Sequence, residues 1–504
     1  MMFMEADKIF DVARRRGFFF ASSEIYGGFS GFYDYGSTGT LLKRNIEKEW
    51  KRFFLGLSNN FFEIETSSIM PEKVFQASGH LTSFVDPVAK CKKCGNFHRA
   101  DHIVEEFLKE SFEGMTADEL TKLIKKHKIK CSKCGGELGD VKVLNMMFPI
   151  SLGAGEDTKG YLRPETAQGA YVSFLRQFNV LRNQLPIGLA IVDKAFRNEI
   201  APRQLLIRQR EFTQAELQIF FDPKKIDEHE KWNEVKDYEL QIQPVESKEK
   251  EFAKMSCEDV SKKLKISKFY VYYIAKVQQF FLDVLQIPQA KFRLKELSEE
   301  ERAFYNKIHY DCQINLESLG GFKEIGGVHY RTDHDLSGHQ KVSKENQEIF
   351  FDGRRFIPHV LELSFGIDRI FYSILELFYK EDKKRGWDWF DFPACIAPFQ
   401  LAIFPLVNKD KIPELAEEIY NKVKMSFNVF YDDGGSIGKR YARADEIGVL
   451  GTLTVDYQTL EDDTLTLRDR NTMQQIRIKI KDLVAVLWKF FEGEKLEKLG
   501  KIIK

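Results

Sequence analysis

Apolar positions recur along this chain with two periods, and the period switches several times. A spacing of 3.6 residues predicts a helix over about 38–54, ending near Gly56. A second is expected over 164–178. A third covers 367–380, where Ile367, Ile370, Phe371, Ile374, Leu375 and Phe378 share one face. A charged helical stretch spans about 101–128. From 141 to 221 apolar strands alternate with the 164–178 helix, and strand patterns resume up to about 365. Residues 222–300 are rich in Lys and Glu and read as helical. The mixed run EDKKRGWDWFDFP (381–393) marks a boundary. Beyond it QLAIFPLV, KIPELAEEIYNKVK, FNVFYDD, VLGTLTVD and TLTLRD alternate as strands and helices.

This punctuation predicts an α/β (α+β) chain. A core is built from 1–90, 145–221 and 301–392, interrupted by insertions at 91–144 and 222–300. A compact α/β domain with a mainly parallel or mixed sheet follows over 393–504.

Composition narrows the function classes. The 76 Lys+Arg cancel the 76 Asp+Glu, so the whole-molecule field offers nucleic acid no attraction, and any RNA contact must be local. No apolar run reaches about 18 residues, which excludes a spanning helix. Glu5 and Asp7 precede Arg14–Arg16, and no small-residue cleavage pattern follows, which argues against a secretory signal.

Four of the seven cysteines stand in two knuckles, Cys91 and Cys94 in CKKCG, Cys131 and Cys134 in CSKCGG. Paired Cys-x-x-Cys units favour a reducing compartment, here the cytoplasm, and a closed four-sulfur zinc site of structural type. The long gap between the knuckles leaves His98 or His102 open as alternative ligands. Cys257, Cys312 and Cys395 stand alone and read as buried thiols.

The richest segment is AFRNEIAPRQLLIRQREFTQAELQIFF, 195–221. Pro202 in a polar break suggests a strand–loop–strand hairpin. Alternation then puts Arg197 and Glu199 on one face of the first strand, and Arg208, Arg210, Phe212, Gln214, Glu216 and Gln218 on one face of the second. A bare Arg/Glu stripe is ordinarily a solvated face. An aromatic among guanidinium and carboxylate groups suits a stacked purine with phosphates instead. In PHVLELSFGIDRIFYSILELF, 358–378, Glu362 and Ser364 share a strand face and Gly366 marks the turn into a helix. Arg369 falls in that helix's first turn, at the positive end of its dipole, where most arginines are simply solvated.

The FRNE, REF and GIDR elements resemble motifs 2 and 3 of class II aminoacyl-tRNA synthetases, and IETSSIMP, ending at Pro71, resembles the motif 1 of their dimer interface. Within that class, RRRGFFFASSEIYGGFSGFYDYG, RADH, YLRPETAQGAYVSF, REFTQAE and EIGGVHYRTDHDL are similar to the single-chain, homodimeric glycyl-tRNA synthetase family. The likeness covers roughly 8–220 and 310–485. Ala21, Ser37, Thr38 and Leu363 depart from the family pattern, which bears on loop geometry only.

This resemblance implies an antiparallel-sheet catalytic core with a zinc-ribbon-like insertion and a C-terminal anticodon-binding domain. It also implies a two-step reaction: glycine and ATP give glycyl-adenylate, and the glycyl group then passes to the 3′ end of tRNA(Gly). ATP, Mg²⁺ and a homodimer come with it. Arg197 and Arg369 carry the catalysis. Arg197 contacts the α-phosphate, Glu199 the adenine amino group, and Phe212 the adenine face. Arg369 takes the other face or the γ-phosphate, Arg210 reaches the terminal phosphates, and Glu324 is the Mg²⁺ ligand. Asn198, Ile207, Arg208, Glu211, Ile325, Gly366, Ile367 and Asp368 complete the expected ATP site. Glu165, Glu216 and Glu362, with Ser364, are expected to hold the glycine ammonium, and Arg99 or Arg331 its carboxylate; Phe212, Thr213, Gln214 and Ala215 line the same site. Selection then rests on a pocket too small for a methyl group, and no editing segment is expected. Lys439, Arg440 and Arg443 are the expected tRNA contacts.

DDGGSIGKRYARAD (432–445) only superficially suggests a phosphate loop, since Asp433 occupies a required Gly position and Arg440 replaces the Ser/Thr. A non-catalytic relative would have lost its phosphate-binding arginines, yet Arg197, Arg210 and Arg369 are present together with Glu199. The three Glu residues disfavour a synthetase of another specificity. A zinc-ribbon nucleic-acid binder leaves most of the chain unexplained.

Overall fold

The computed structural model describes residues 2–109, 112, 115–153, 159–200, 202, 205–245, 252–303 and 305–503. At its centre lies a nine-stranded sheet. In chain order its strands are β1 (Phe61–Glu63), β2 (Ile187–Phe196), β3 (Glu211–Phe221), β4 (Glu239–Gln243), β5 (Ala253–Ser256), β6 (Phe292–Glu296), β7 (Ile308–Leu316), β8 (Gly321–Thr332) and β9 (His359–Gly366). Across the sheet they run β5-β4-β6-β7-β8-β9-β3-β2-β1, antiparallel except at β1–β2 and β4–β6.

One face of this sheet is closed by helices α1 (Ser37–Leu55) and α5 (Ile367–Phe378). Leu42, Ile46, Trp50 and Phe54 recur every fourth residue on α1, so one stripe is fully buried. Its aromatic end meets the sheet directly: Phe54 lies 5.1 Å from Phe365 and 5.0 Å from Phe280, centroid to centroid. Such pairs add roughly 0.5–1.5 kcal/mol each beyond the area they bury. The first turn of α1 runs so close to the chain at Phe18 that a Cβ on Gly39 would lie 1.7 Å from the Phe18 carbonyl oxygen. Only glycine permits that approach.

On the opposite face, helices α2 (Ala167–Val180) and α4 (His334–Ser343) cover the β2–β3 end through Tyr171, Phe174, Leu189, Ile191, Phe220 and Leu336. The middle of that face stays open as a cleft.

Residues 222–300 correct the sequence reading. They contribute β4, β5 and β6 to one edge of the main sheet, with α3 (Lys268–Gln279) among its helices. Leu240 and Ile242, like Phe292 and Leu294, alternate and are fully buried. That period of two is short and embedded in charge, which is why helical spacing dominated the text. The 101–128 stretch likewise holds two helices, Ala100–Leu108 and Ala117–Lys126, the second opened by a Thr116–Glu119 capping box. Part of 110–114 between them lies outside the described residues.

The C-terminal unit is a six-stranded mixed sheet of β10 (Leu401–Pro405), β11 (Val429–Tyr431), β12 (Gly451–Val455), β13 (Thr464–Asp469), β14 (Gln475–Lys479) and β15 (Ile502–Ile503). The order is β11-β10-β12-β13-β14-β15, the first three parallel and the rest antiparallel. Helices α6 (Ile412–Val423) and α7 (Ile437–Glu446) connect the parallel strands, and Leu401, Ile403, Ile419, Leu453 and Leu467 form part of a separate core. Among the described residues no helix is long and apolar enough to cross a membrane.

Candidate active site

The pairing register of four neighbouring strands lays out the cleft floor. One row reads His309 (β7), His329 (β8), Glu362 (β9), Gln218 (β3); the next reads Asp311, Gly327, Ser364, Glu216. Directly opposed residues share a face, so these side chains meet. At the outer end, Ile325 is an extra residue on β8: Gln313 faces Glu324 while Cys312 faces Gly326. This bulge turns Ile325 into the core and lets Glu324 and Gly327 both face the cleft.

Glu165, Glu216 and Glu362 converge on this floor and are each buried. Thr166 Oγ1 donates to Glu216 Oε2 at 2.6 Å and Ser364 Oγ to its Oε1 at 2.8 Å. Gln218 Nε2 donates to Glu362 at 3.0 Å, and Tyr171 hydroxyl to Gln218 at 2.7 Å. The fully buried Arg331 donates Nη1 to Glu362 at 3.0 Å, Nη2 to Glu165 at 3.4 Å, and Nε to Asp335 at 2.8 Å. Its guanidinium lies 3.9 Å from the Tyr305 ring centroid.

Four carboxylates, Glu165, Glu216, Glu362 and Asp335, around the single guanidinium of Arg331 leave an excess of negative charge. Burial disfavours ionisation of Glu165, but Arg331 and His80 prevail and hold it well below the usual carboxylate range. Burial, with Glu165 alongside, raises Glu216. Burial pushes Glu362 up to about 8, Glu216 and Glu165 adding to the effect against Arg331. A site so built fits one small cation.

Towards the mouth, Arg197 lies between two rings, 5.3 Å from Phe212 and 5.4 Å from Phe84, with Nε donating to Pro164 carbonyl at 3.0 Å. Arg369 donates Nε to Ile207 carbonyl at 3.1 Å and pairs through Nη1 with Glu324 Oε1 at 2.9 Å. Glu199 accepts Arg208 Nε at 2.6 Å. Arg197, Glu199, Ile207, Arg208, Phe212, Gln214, Glu324, Ile325, Gly366 and Arg369 line the cleft together with the three glutamates and Ser364.

Other expected residues lie elsewhere, each for a physical reason. The strands are shorter than the alternation suggested: β2 ends at Phe196 and β3 begins at Glu211, so Arg197, Glu199, Arg208 and Arg210 sit on the connecting loop. Arg210 points away from the cleft, donating to Glu199 carbonyl and to Ser30 carbonyl, each at 3.0 Å. Glu211, Thr213 and Ala215 occupy the odd positions of β3 and face away from the cleft; Glu211 pairs with Lys194 at 3.1 Å and Ala215 is in the core. Ile367 is also core. Asp368 borders the cleft, yet both its oxygens are used, by Lys43 Nζ at 2.7 Å, Tyr35 hydroxyl and Thr213 N–H. It fastens α5 to α1 and β3. Asn198 donates its backbone N–H to Met146 carbonyl at 2.7 Å and is not part of the cleft lining. Arg99 pairs with Asp101 and, at 3.4 Å, with Asp86, outside the cleft lining. Arg331 has its guanidinium engaged by acids, so neither candidate for the substrate carboxylate stands free.

Sequence reasoning missed Tyr305, His309, Gly327, His329 and the coordinating role of Arg331. Residues 309 and 329 become neighbours only through strand register, which no short-range pattern reports.

In the insertion the four cysteine sulfurs lie within 4.8 Å of one another. Cys91 and Cys134 are 3.6 Å apart and Cys94 and Cys131 3.7 Å. A tetrahedron with Zn–S bonds of about 2.3 Å has sulfur–sulfur edges of about 3.8 Å. Gly95 (φ +72°) and Gly135 (φ +67°) take the left-handed turn after each knuckle. His98 is not in the quartet; its Nε2 lies 3.1 Å from Cys131 Sγ, at hydrogen-bond range from a ligand. His102 is also outside it. The four cysteines therefore fit zinc.

In the C-terminal unit Lys439 is exposed on α7, but Arg440 is buried, donating to Pro405 and Gly435 carbonyls. Arg443 pairs with Asp432 at 2.6 Å. Arg440 thus closes the Gly434–Gly435 turn instead of facing an RNA.

The antiparallel sheet, the arginine-flanked cleft and the appended α/β unit define a class II aminoacyl-tRNA synthetase. The model of the tRNA synthetase class II core domain (G, H, P, S and T) matches residues 152–378, and that of the anticodon binding domain matches 400–489. The chain belongs to the glycine–tRNA ligase family. It is 41% identical to the glycine–tRNA ligase of Thermococcus sibiricus, covering 96% of this chain and 98% of that one. It is 41% identical to that of Pyrococcus furiosus, over 98% and 100%, and 38% identical to that of Methanocaldococcus jannaschii, over 95% and 98%. A prolyl-tRNA synthetase of Cryptosporidium parvum, solved with L-proline and AMP, shares the fold at 13% identity and TM-score 0.56, over 96% of this chain and 77% of that one.

Proposed function

We propose that the cleft condenses glycine with ATP to glycyl-adenylate and then passes the glycyl group to the 3′ end of tRNA(Gly). The observation that carries this reading is the buried triad Glu165, Glu216 and Glu362, poised by Arg331 and Ser364 as a receptor for one ammonium group. The glycine carboxylate is ionised at neutral pH and needs no general base to attack the α-phosphorus. Catalysis reduces to placing it and neutralising the phosphates. Arg197, steadied between Phe84 and Phe212, serves the α-phosphate. The adenine rests on Phe212, with Glu199 for its amino group, and Arg369 serves the γ-phosphate. Arg208 holds Glu199 in place.

Glu324 stands at the cleft mouth paired with Arg369. One carboxylate beside a triphosphate fits Mg²⁺, which takes few protein ligands and would neutralise charge on the phosphates. Zinc in the cysteine quartet is structural, with every sulfur engaged and no open position. The chain acts as a homodimer through the segment ending at Pro71, and Lys439 and Arg443 contact the tRNA.

ATP–pyrophosphate exchange across the twenty amino acids tests the reading. Exchange with glycine alone is expected. Exchange preferring another amino acid, or none, overturns it.

A further inference from the structure

The two cleft rows contain one position without a side chain, Gly327, and two imidazoles lean into its space. A Cβ on Gly327 would lie 2.6 Å from His329 Nε2 and 3.0 Å from His309 Nε2. The His329 tip thereby comes within 3.6 Å of Glu362 Oε1, and Ser364 lies across from Gly327 on β9. The pair is braced from behind. The rings lie 4.1 Å apart, Asn306 Nδ2 sits 3.0 Å from His329 Nδ1, and Asp311 Oδ1 is 3.1 Å from His309 Nε2. A donor at Nδ1 makes that nitrogen the acceptor and leaves the proton on Nε2, facing Glu362.

We propose that His329, buttressed by His309, is a specificity-determining residue: its imidazole is the wall that leaves no room for an amino-acid side chain beside the acid triad. The inference rests on the glycine reading above and assigns the wall that reading requires. Any ammonium held by Glu362 brings its Cα next to this imidazole. Because the ring is locked on two sides, it cannot swing aside for a methyl group. Burial, with His309 and Arg331 nearby, holds His329 well below its usual range, so the wall is neutral and does not repel the ammonium it borders.

The test is pyrophosphate exchange by full-length protein carrying His329→Ala or His309→Ala, with glycine, L-alanine and L-serine. A lone methylene is discriminated by roughly 10- to 200-fold in a fitted pocket. His329→Ala is therefore expected to raise the alanine-to-glycine ratio of kcat/KM by about tenfold or more. His309→Ala, which removes only the buttress, is expected to raise it less. Activity gained towards alanine cannot come from misfolding. An unchanged ratio in a folded His329→Ala protein overturns the proposal. Should that variant fail to fold, His329→Asn replaces it, with the same outcomes. Absence of glycine exchange in the unsubstituted protein would instead refute the parent reading.

Discussion

Arg331 Nη1 donates to Glu362 Oε2 at 3.0 Å; Arg331 is fully enclosed, while Glu362 is buried at the floor of the cleft. The same guanidinium reaches Glu165 and Asp335, so one buried cation sets the positions of two acids in the cleft and ties them to α4. Removing one partner of a buried ion pair strands the others uncompensated, which typically destabilises by about 3–5 kcal/mol. Arg331→Met is expected to lose about that much in urea unfolding and to abolish glycine-dependent exchange. A melting curve and exchange rate close to those of the parent would contradict the role given to Arg331.

Glu362 also predicts a pH dependence. Its carboxyl titrates near 8 in the free site, and an ammonium ligand favours the ionised form. Below 8 a proton must leave before glycine binds; above it none need leave. The KM for glycine should therefore fall as pH rises from 6 towards 8, with proton release on binding seen by calorimetry in buffers of different ionisation enthalpy. A KM flat over that interval would contradict the assignment.

On the proposed reading Arg197 and Arg369 act on the phosphates. Loss of one such transition-state donor typically slows catalysis by roughly two to three orders of magnitude. Arg197→Ala and Arg369→Ala should each lower kcat for exchange by about that factor. Arg210→Ala, whose side chain is turned to the Ser30 carbonyl, should lower it much less. Equal losses in all three would show that Arg210 swings into the cleft when ATP binds.

The cysteine quartet predicts one zinc ion per chain by elemental analysis of protein prepared without chelator. Cys91→Ser should abolish that stoichiometry and lower the melting temperature, because ligand binding to the folded state stabilises it. Zinc-free protein of undiminished stability would rule out a structural metal.

The chain's own text determined a good deal. The α1 and α5 stripes, the Cys-x-x-Cys knuckles and the strand holding Glu362 and Ser364 are local patterns, and local periodicity follows from backbone geometry shared by all helices and strands. The cysteine ligands and the Glu362–Ser364 pair were therefore legible as residue types at given spacings, whereas Glu165, Glu324 and the arginine roles came from the resemblance to synthetase motifs. Tertiary structure alone decided which of them face the cleft. Register across β7, β8, β9 and β3 placed His309, His329 and Glu362 in one row, and a single bulged residue at Ile325 brought Glu324 round to join them. Burial decided the rest: once enclosed, Arg331, Asp368 and Arg440 had to satisfy every donor or acceptor with partners far away in sequence. Those partners are fixed by packing, to which a one-dimensional pattern is blind.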